Sequence, residues 1–303
     1  RVPTKESTPV PTATETLIPS PSPTNSPPQN GEENSRPQYT LHATLDYPAR
    51  TLVVDETIRY TNQSPVGLDK LVLAVEPNRW GNCFVLESAS LNNFPITPQL
   101  NGMHMEIPLG TKLQPGESLT LKMRYTLNIP AKSHEEVFGY LSDFQINLVN
   151  WYPFIVPFDV AKGWIIHEPS GVGEHLVYES ADFDVTLNLE GEDDLVVAAS
   201  AAPSSERASE KRYQLEGARS FVFSVSSALQ SETVASENAS VTSFFYPNYE
   251  FAGEGILDAA SKAIDIYSRR YSPYPYEHLS IVQTHLPDGM EYDGLIFMGS
   301  EFY

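Results

Sequence analysis

The sequence predicts a mainly β fold: an antiparallel sandwich or saddle of sheets that gives way near residue 246 to an α/β element. Three observations carry this. Apolar and polar residues alternate with period two over many short runs, and Pro, Gly, Asn and Ser separate the runs. After Gly255 the apolar period becomes that of a helix. With 303 residues, 41% of them hydrophobic, the chain is long enough to bury a sizeable core.

The elements follow in order. Residues 1–37 hold 20 Pro, Ser or Thr. Such a segment cannot offset its ordering entropy by burial, so a disordered, partly polyproline-II linker is expected, either a terminus without a role or, on the sharper reading, a stalk at an envelope or wall. From Tyr39 the strands begin. Tyr39, Leu41, Ala43 and Leu45 alternate with polar neighbours, as do Leu52, Val54, Glu56, Ile58 and Tyr60, with Glu56 a charged interruption. Leu71, Leu73 and Val75 follow, and the Pro115-Gly116 turn feeds Leu119, Leu121, Met123 and Tyr125. Further strands are predicted at 183–189, 195–199, 213–215, 221–225 and 241–245. Ile256, Ala259, Ala260, Ala263, Ile264 and Tyr267 form one helical stripe, which Ser272-Pro273 ends. Strands at 279–283 and 295–298 come last. The expected divisions are a linker at 1–37, a β domain at 38–245 and a second domain beginning at 246–303. The apolar stripe is expected to find its partners beyond residue 303, leaving 246–303 weakly ordered here.

Charge excludes one class of function. Nineteen Lys+Arg against 39 Asp+Glu give a net charge of −20, and no basic cluster provides the footprint that nucleic acid requires. The single cysteine, Cys83, permits no internal disulfide. No apolar run approaches the ~18–20 residues of a membrane-spanning helix. Because the chain starts at Arg1, an upstream piece is expected. Seven histidines (His42, His104, His134, His167, His175, His278 and His285) include no pair four residues apart, so H-E-x-x-H is missing. The acidic run 190–194 reads as a solvated turn rather than a calcium loop. Asn62 and Asn238 fit the glycosylation pattern.

Two segments stand out. One is Asn150-Trp151-Tyr152-Pro153-Phe154, then Lys162-Gly163-Trp164, then Ala181-Asp182-Phe183-Asp184-Val185. The other is Tyr274-Pro275-Tyr276, followed by Gly289-Met290-Glu291-Tyr292. Alone, each reads as core residues or an exposed turn. Together, in this order and spacing over residues 38–303, they resemble the zinc aminopeptidase family of gluzincins, which includes alanyl aminopeptidases and leukotriene hydrolase. In that family a β-saddle domain precedes a thermolysin-like catalytic domain, Y-P-Y leads into a G-x-M-E-N strand, and H-E-x-x-H follows.

The resemblance implies an enzyme that removes N-terminal residues from peptides with a free N-terminus. It implies that Glu291 grips the substrate ammonium, that Gly289 and Met290 line the substrate strand, and that Gln145, with Asn147 nearby, supplies a second amine-binding group. Asp288 stands where many members have glycine, and Tyr292 where they have asparagine, which bears on amine specificity. Zinc is the implied cofactor, with its ligands expected downstream of Tyr303 and none in this chain, so this segment alone is expected to be inactive. The alternatives are a secreted, non-catalytic β-sandwich binding module and a relative that has lost its zinc motif and acts as a scaffold.

Overall fold

The computed structural model describes residues 36–303 except 134–135, 142–143, 171–172 and 208. These residues belong to one unit, Ser35–Tyr303. The linker expected over 1–37 lies outside the described residues up to position 35, as does His134.

Eight strands make the largest sheet, in the order Pro203–Arg207, Glu210–Ala218, Ala181–Glu190, Gln38–Asp46, Thr51–Thr61, Ser118–Asn128, Phe84–Leu91, Phe94–Pro95. The alternation read from sequence sets its faces. Leu41, Ala43, Leu45, Leu52, Val54 and Ile58 point inward, fully buried. Glu56 keeps the phase of its strand and is buried too, 1% exposed. Neighbours are antiparallel except Gln38–Asp46 with Ala181–Glu190, which run parallel. Side-chain period fixes which face is buried but not strand direction, so the parallel pair was invisible to it.

Two four-stranded sheets and a two-stranded one, Phe158–Asp159 with Gly163–Trp164, join the eight-stranded sheet, and one apolar cluster runs through the eight- and four-stranded sheets. One four-stranded sheet contains Leu68–Ala74 and His104–Leu113; the other has the order Val196–Ala199, Phe223–Ser226, Gln145–Leu148, Gly139–Leu141. The W-Y-P step belongs to this core. Trp151 Nε1–H donates to the Phe221 carbonyl at 3.0 Å, and the Tyr152 hydroxyl accepts from Phe221 N–H at 3.1 Å. Both rings are buried with their polar tips bonded, the condition that admits Trp and Tyr to a core. Asn62 is likewise buried, its amide donating to Val66 and Leu113 carbonyls at 2.8 Å each, so it cannot carry a glycan.

The last sheet has five strands, ordered Gln230–Ala235, Ser240–Phe245, His278–Thr284, Leu295–Gly299, Gly289–Tyr292. Helix α1, Glu250–Arg270, crosses between Ser240–Phe245 and His278–Thr284, which pair parallel. This is a β-α-β unit. Leu257 and Ile264 of α1 pack on Val241, Leu279 and Ile281. At Gly253 an added Cβ would come within 2.3 Å of the Phe245 ring, so this residue sets how closely the helix approaches.

The expectation that the helix lacks partners within this chain is therefore corrected. Ile256, Ala260 and Ile264 of its apolar stripe, with Leu257 beside them, pack on the strands Ser240–Phe245 and His278–Thr284, while Ala259 is exposed, because the parallel crossover folds the helix back onto its own flanking strands. Tyr267, the last member of the stripe, is 61% exposed. The sheet itself takes strands from both sides of residue 246.

Candidate functional site

Strand Gly289–Tyr292 is an edge. It pairs antiparallel with Leu295–Gly299 alone, in the register Gly289↔Met298, Met290↔Phe297, Glu291↔Ile296, Tyr292↔Leu295. Strand alternation splits its side chains between two faces. Met290 and Tyr292 pack inward on the main core, Tyr292 meeting Phe297 edge-on with ring centroids 6.1 Å apart. Gly289 and Glu291 lie on the other face and are exposed. Glu291 makes no hydrogen bond or ion pair with the described residues. Its carboxylate stands on the same face as Ile296 and Met298, the residues that pack beside α1.

Both ends of this hairpin are clamped. At one end, Gly299 N–H donates to the Asp288 carbonyl at 2.8 Å. At the other, Asp293 is buried in the turn and accepts from Arg219 N–H at 2.7 Å, from the Tyr276 hydroxyl at 2.9 Å and from the Arg219 guanidinium at 3.3 Å. Gly294 follows with φ +71°, and a Cβ there would lie 1.9 Å from the Ser200 carbonyl oxygen. Only glycine accepts both that conformation and that approach. Burial, then the nearby Asp293 carboxylate, push the Tyr276 phenol up, so it stays a donor. Burial also raises Tyr292, with Glu174, Glu76 and Glu291 adding to it.

Gln145 sits elsewhere. It is 2% exposed in Gln145–Leu148, and its amide is fully used. Nε2 donates to Gln283 O at 3.0 Å and Ser224 Oγ at 3.2 Å, while Oε1 accepts from the Tyr246 hydroxyl at 2.8 Å. Asn147 is equally engaged, donating to Thr284 Oγ1 at 3.2 Å and accepting from Ser224 Oγ at 2.7 Å. These groups stitch the body to the end of His278–Thr284, and no hydrogen bond links Gln145 to Glu291. The structure thus brings Gly289, Met290, Glu291 and Tyr292 together on one edge and places Gln145 in a buried network.

Sequence reasoning singled out Tyr276 within Y-P-Y but missed that it holds the edge in place together with Asp293 and Arg219. Asp293-Gly294 is a recognisable turn signal. Its partner Arg219, 74 residues earlier, leaves no local trace. Among the described residues no group of three or more His, Cys, Asp or Glu could hold a metal ion. No helix among them is long and apolar enough to cross a membrane.

No protein-family model matches the sequence, and no curated protein does. Solved structures do match. An M1 zinc metallopeptidase from Deinococcus radiodurans superimposes with a TM-score of 0.58 at 15% identity, covering 88% of this chain. A two-domain M1 zinc metallopeptidase mutant bound to L-arginine gives 0.58 at 16% over 88%. A mutant from D. radiodurans bound to a Tyr-Ser-Ala substrate gives 0.56 at 16% over 87%. In each case the match spans 60% of the solved chain. Mostly β, with one long helix returning to a mixed sheet, the described chain has the fold of the matching part of the M1 zinc metallopeptidases.

Proposed function

We propose that this chain is the N-terminal part of a zinc-dependent aminopeptidase. On this reading, residues 38–245 form its β-saddle domain and 246–303 begin a thermolysin-like catalytic domain. The observation that carries the proposal is Glu291: an exposed carboxylate without a hydrogen-bond or ion-pair partner among the described residues, on a free strand edge whose alternate residues are anchored in the core. An extended peptide can pair with such an edge through its backbone, and its terminal ammonium can meet the carboxylate. A charge-assisted hydrogen bond of that kind is worth ~1.5–3 kcal/mol. Gly289 leaves the edge open beside it, and Met290 and Tyr292 fix its position. Gln145, with every polar atom engaged, would serve the amine only after breaking bonds, so its role on this reading is to hold the body to the sheet.

The substrates are peptides with a free N-terminus, acted on outside the cell or at its envelope, where a Pro/Ser/Thr-rich stalk would hold the enzyme. On this reading the zinc ligands belong to residues beyond 303. The next ~30 codons of the reading frame test this: H-E-x-x-H with a further glutamate about 18 residues on supports the enzyme. A stop codon or a degenerate motif overturns it in favour of a scaffold or binding module.

A further inference from the structure

On the far side of the five-stranded sheet from Glu291 lies a cleft of about 470 Å³. Three strands that each pair on one side only converge there: Val196–Ala199, Pro203–Arg207 and Gln230–Ala235, each the end strand of its own sheet. A strand edge exposes backbone N–H and C=O groups that want an extended partner.

The register shows which groups face the cleft. Ser200 N–H donates to the Val222 carbonyl at 3.0 Å, and residues 196–199 continue that antiparallel pairing opposite 226–223. Hydrogen-bonded and non-hydrogen-bonded pairs alternate along such a ladder. Ser200, Ala198 and Val196 therefore turn their backbone groups toward Phe223–Ser226, and Ala199 and Val197 turn theirs outward. The Ala199 carbonyl confirms the phase, because it accepts from Ser280 Oγ at 2.8 Å on the cleft side. Val197 N–H and C=O remain as an outward donor–acceptor pair.

The opposite wall is uncharged and mostly polar, with Phe244 as its apolar member. Ser231 and Thr233 line it from one strand, Ser240 and Thr242 from the next. His278 stands between Ser240, whose Oγ is 2.9 Å from Nδ1, and Ser280, whose Oγ is 3.0 Å from Nε2. Since Ser280 donates to Ala199, it accepts from Nε2–H. Burial disfavours the charged ring, which leaves Nδ1 as an acceptor for the Ser240 hydroxyl, whose other acceptor within reach is the Glu277 carbonyl at 3.3 Å. Lys211, at the cleft, is paired with Glu206, so no unpaired charge is left to recruit a charged ligand.

We propose that this cleft binds an uncharged, extended peptide segment, which adds to the free edge at Val197 and lays its other side against the Ser/Thr wall. Backbone pairing would supply affinity, and small or hydroxyl side chains would fit the wall. The proposal is independent of Glu291.

The test uses an acetylated, amidated Thr-Val-Thr-Val peptide, which has no ammonium for Glu291, titrated into the full chain with amide chemical shifts followed. Saturable shifts centred on residues 195–199 and 231–233 are expected. Val197→Pro removes only an outward-facing donor, which an edge strand tolerates, and should weaken binding tenfold or more. Peptides N-methylated at alternate amides should show the same loss for one methylation register and none for the other. Thr233→Trp should fill the cleft and abolish binding, while Glu291→Gln should leave it unchanged. Absence of saturable binding, equal affinity for both N-methyl registers, or loss on Glu291→Gln would overturn the proposal. Should Val197→Pro fail to fold, the N-methyl peptides decide.

Discussion

The carboxylate of Asp293 accepts a 2.7 Å hydrogen bond from the backbone N–H of Arg219, tying the turn beside Glu291 to a loop 74 residues earlier. The Tyr276 hydroxyl donates to the same carboxylate at 2.9 Å. Together these bonds fix a short edge strand that its own four residues could not order.

Asp293→Ala leaves Arg219 N–H and the Tyr276 hydroxyl without their acceptor. Unsatisfied buried donors cost ~1–3 kcal/mol. The expected result is a loss of that size in urea melts, with amide exchange rising first in residues 289–299. Asp293→Asn, which keeps an acceptor, should recover part of it.

Two glycine substitutions should move stability in opposite directions. Gly294→Ala drives a Cβ to 1.9 Å from Ser200 O at φ +71°, and should cost ~2 kcal/mol or more. Gly255 lies within α1 with nothing near its would-be Cβ, so Gly255→Ala should stabilise by ~0.5–1 kcal/mol. Melts of the two variants side by side check both signs.

Burial holds the Glu56 carboxyl well above the usual carboxylate range, and the Tyr125 hydroxyl opposes the shift only in part. Neither Glu56 oxygen has a hydrogen bond of good geometry. Above the unfolded value, ~4.3, the folded chain keeps a proton that the unfolded chain has lost. Stability therefore falls as pH rises from there toward the raised folded value, by up to ~1.4 kcal/mol per pH unit. Glu56→Gln should flatten this slope in melts taken between pH 5 and pH 8; an unchanged slope would mean that the carboxyl is not held neutral.

His278 acts on the acid side. Burial lowers its folded value to about 4 from an ordinary 6.5. Between those values the unfolded chain binds a proton that the folded chain refuses. Stability is lost as pH falls through this window, by roughly 3 kcal/mol in all. His278→Gln should remove most of that acid sensitivity.

Much of the fold was legible and much of the site's support was not. Alternation placed Leu41, Val54 and Ile58 inward and carried Glu56 in with them, although its charge argued for the surface. The helix was legible from Ile256 to Ile264, but its partners were not. A parallel crossover pairs strands more than thirty residues apart, and periodicity says nothing about which strands meet. Gly289 to Tyr292 stood out by motif, and their inward and outward split follows from period two. Gln145 drew attention for its resemblance, yet the run Gln145–Leu148 is buried throughout, and its network depends on Ser224, Tyr246 and Gln283. Those distances along the chain are what local reading cannot span.

The central claim is that Glu291 anchors a peptide ammonium. The direct measurement is kcat/KM for Glu291→Gln in the full polypeptide that carries this segment, on matched free-amine and N-acetylated peptides. A carboxylate-to-amide change at an ammonium contact should cost ~2–3 kcal/mol, on the order of a hundredfold, for free-amine substrates. Acetylated substrates should be poor for both forms and scarcely altered, and metal content should not change. An equal loss on free and acetylated peptides, or a loss of bound metal, would contradict the anchor and leave Glu291 as a structural residue of a strand edge.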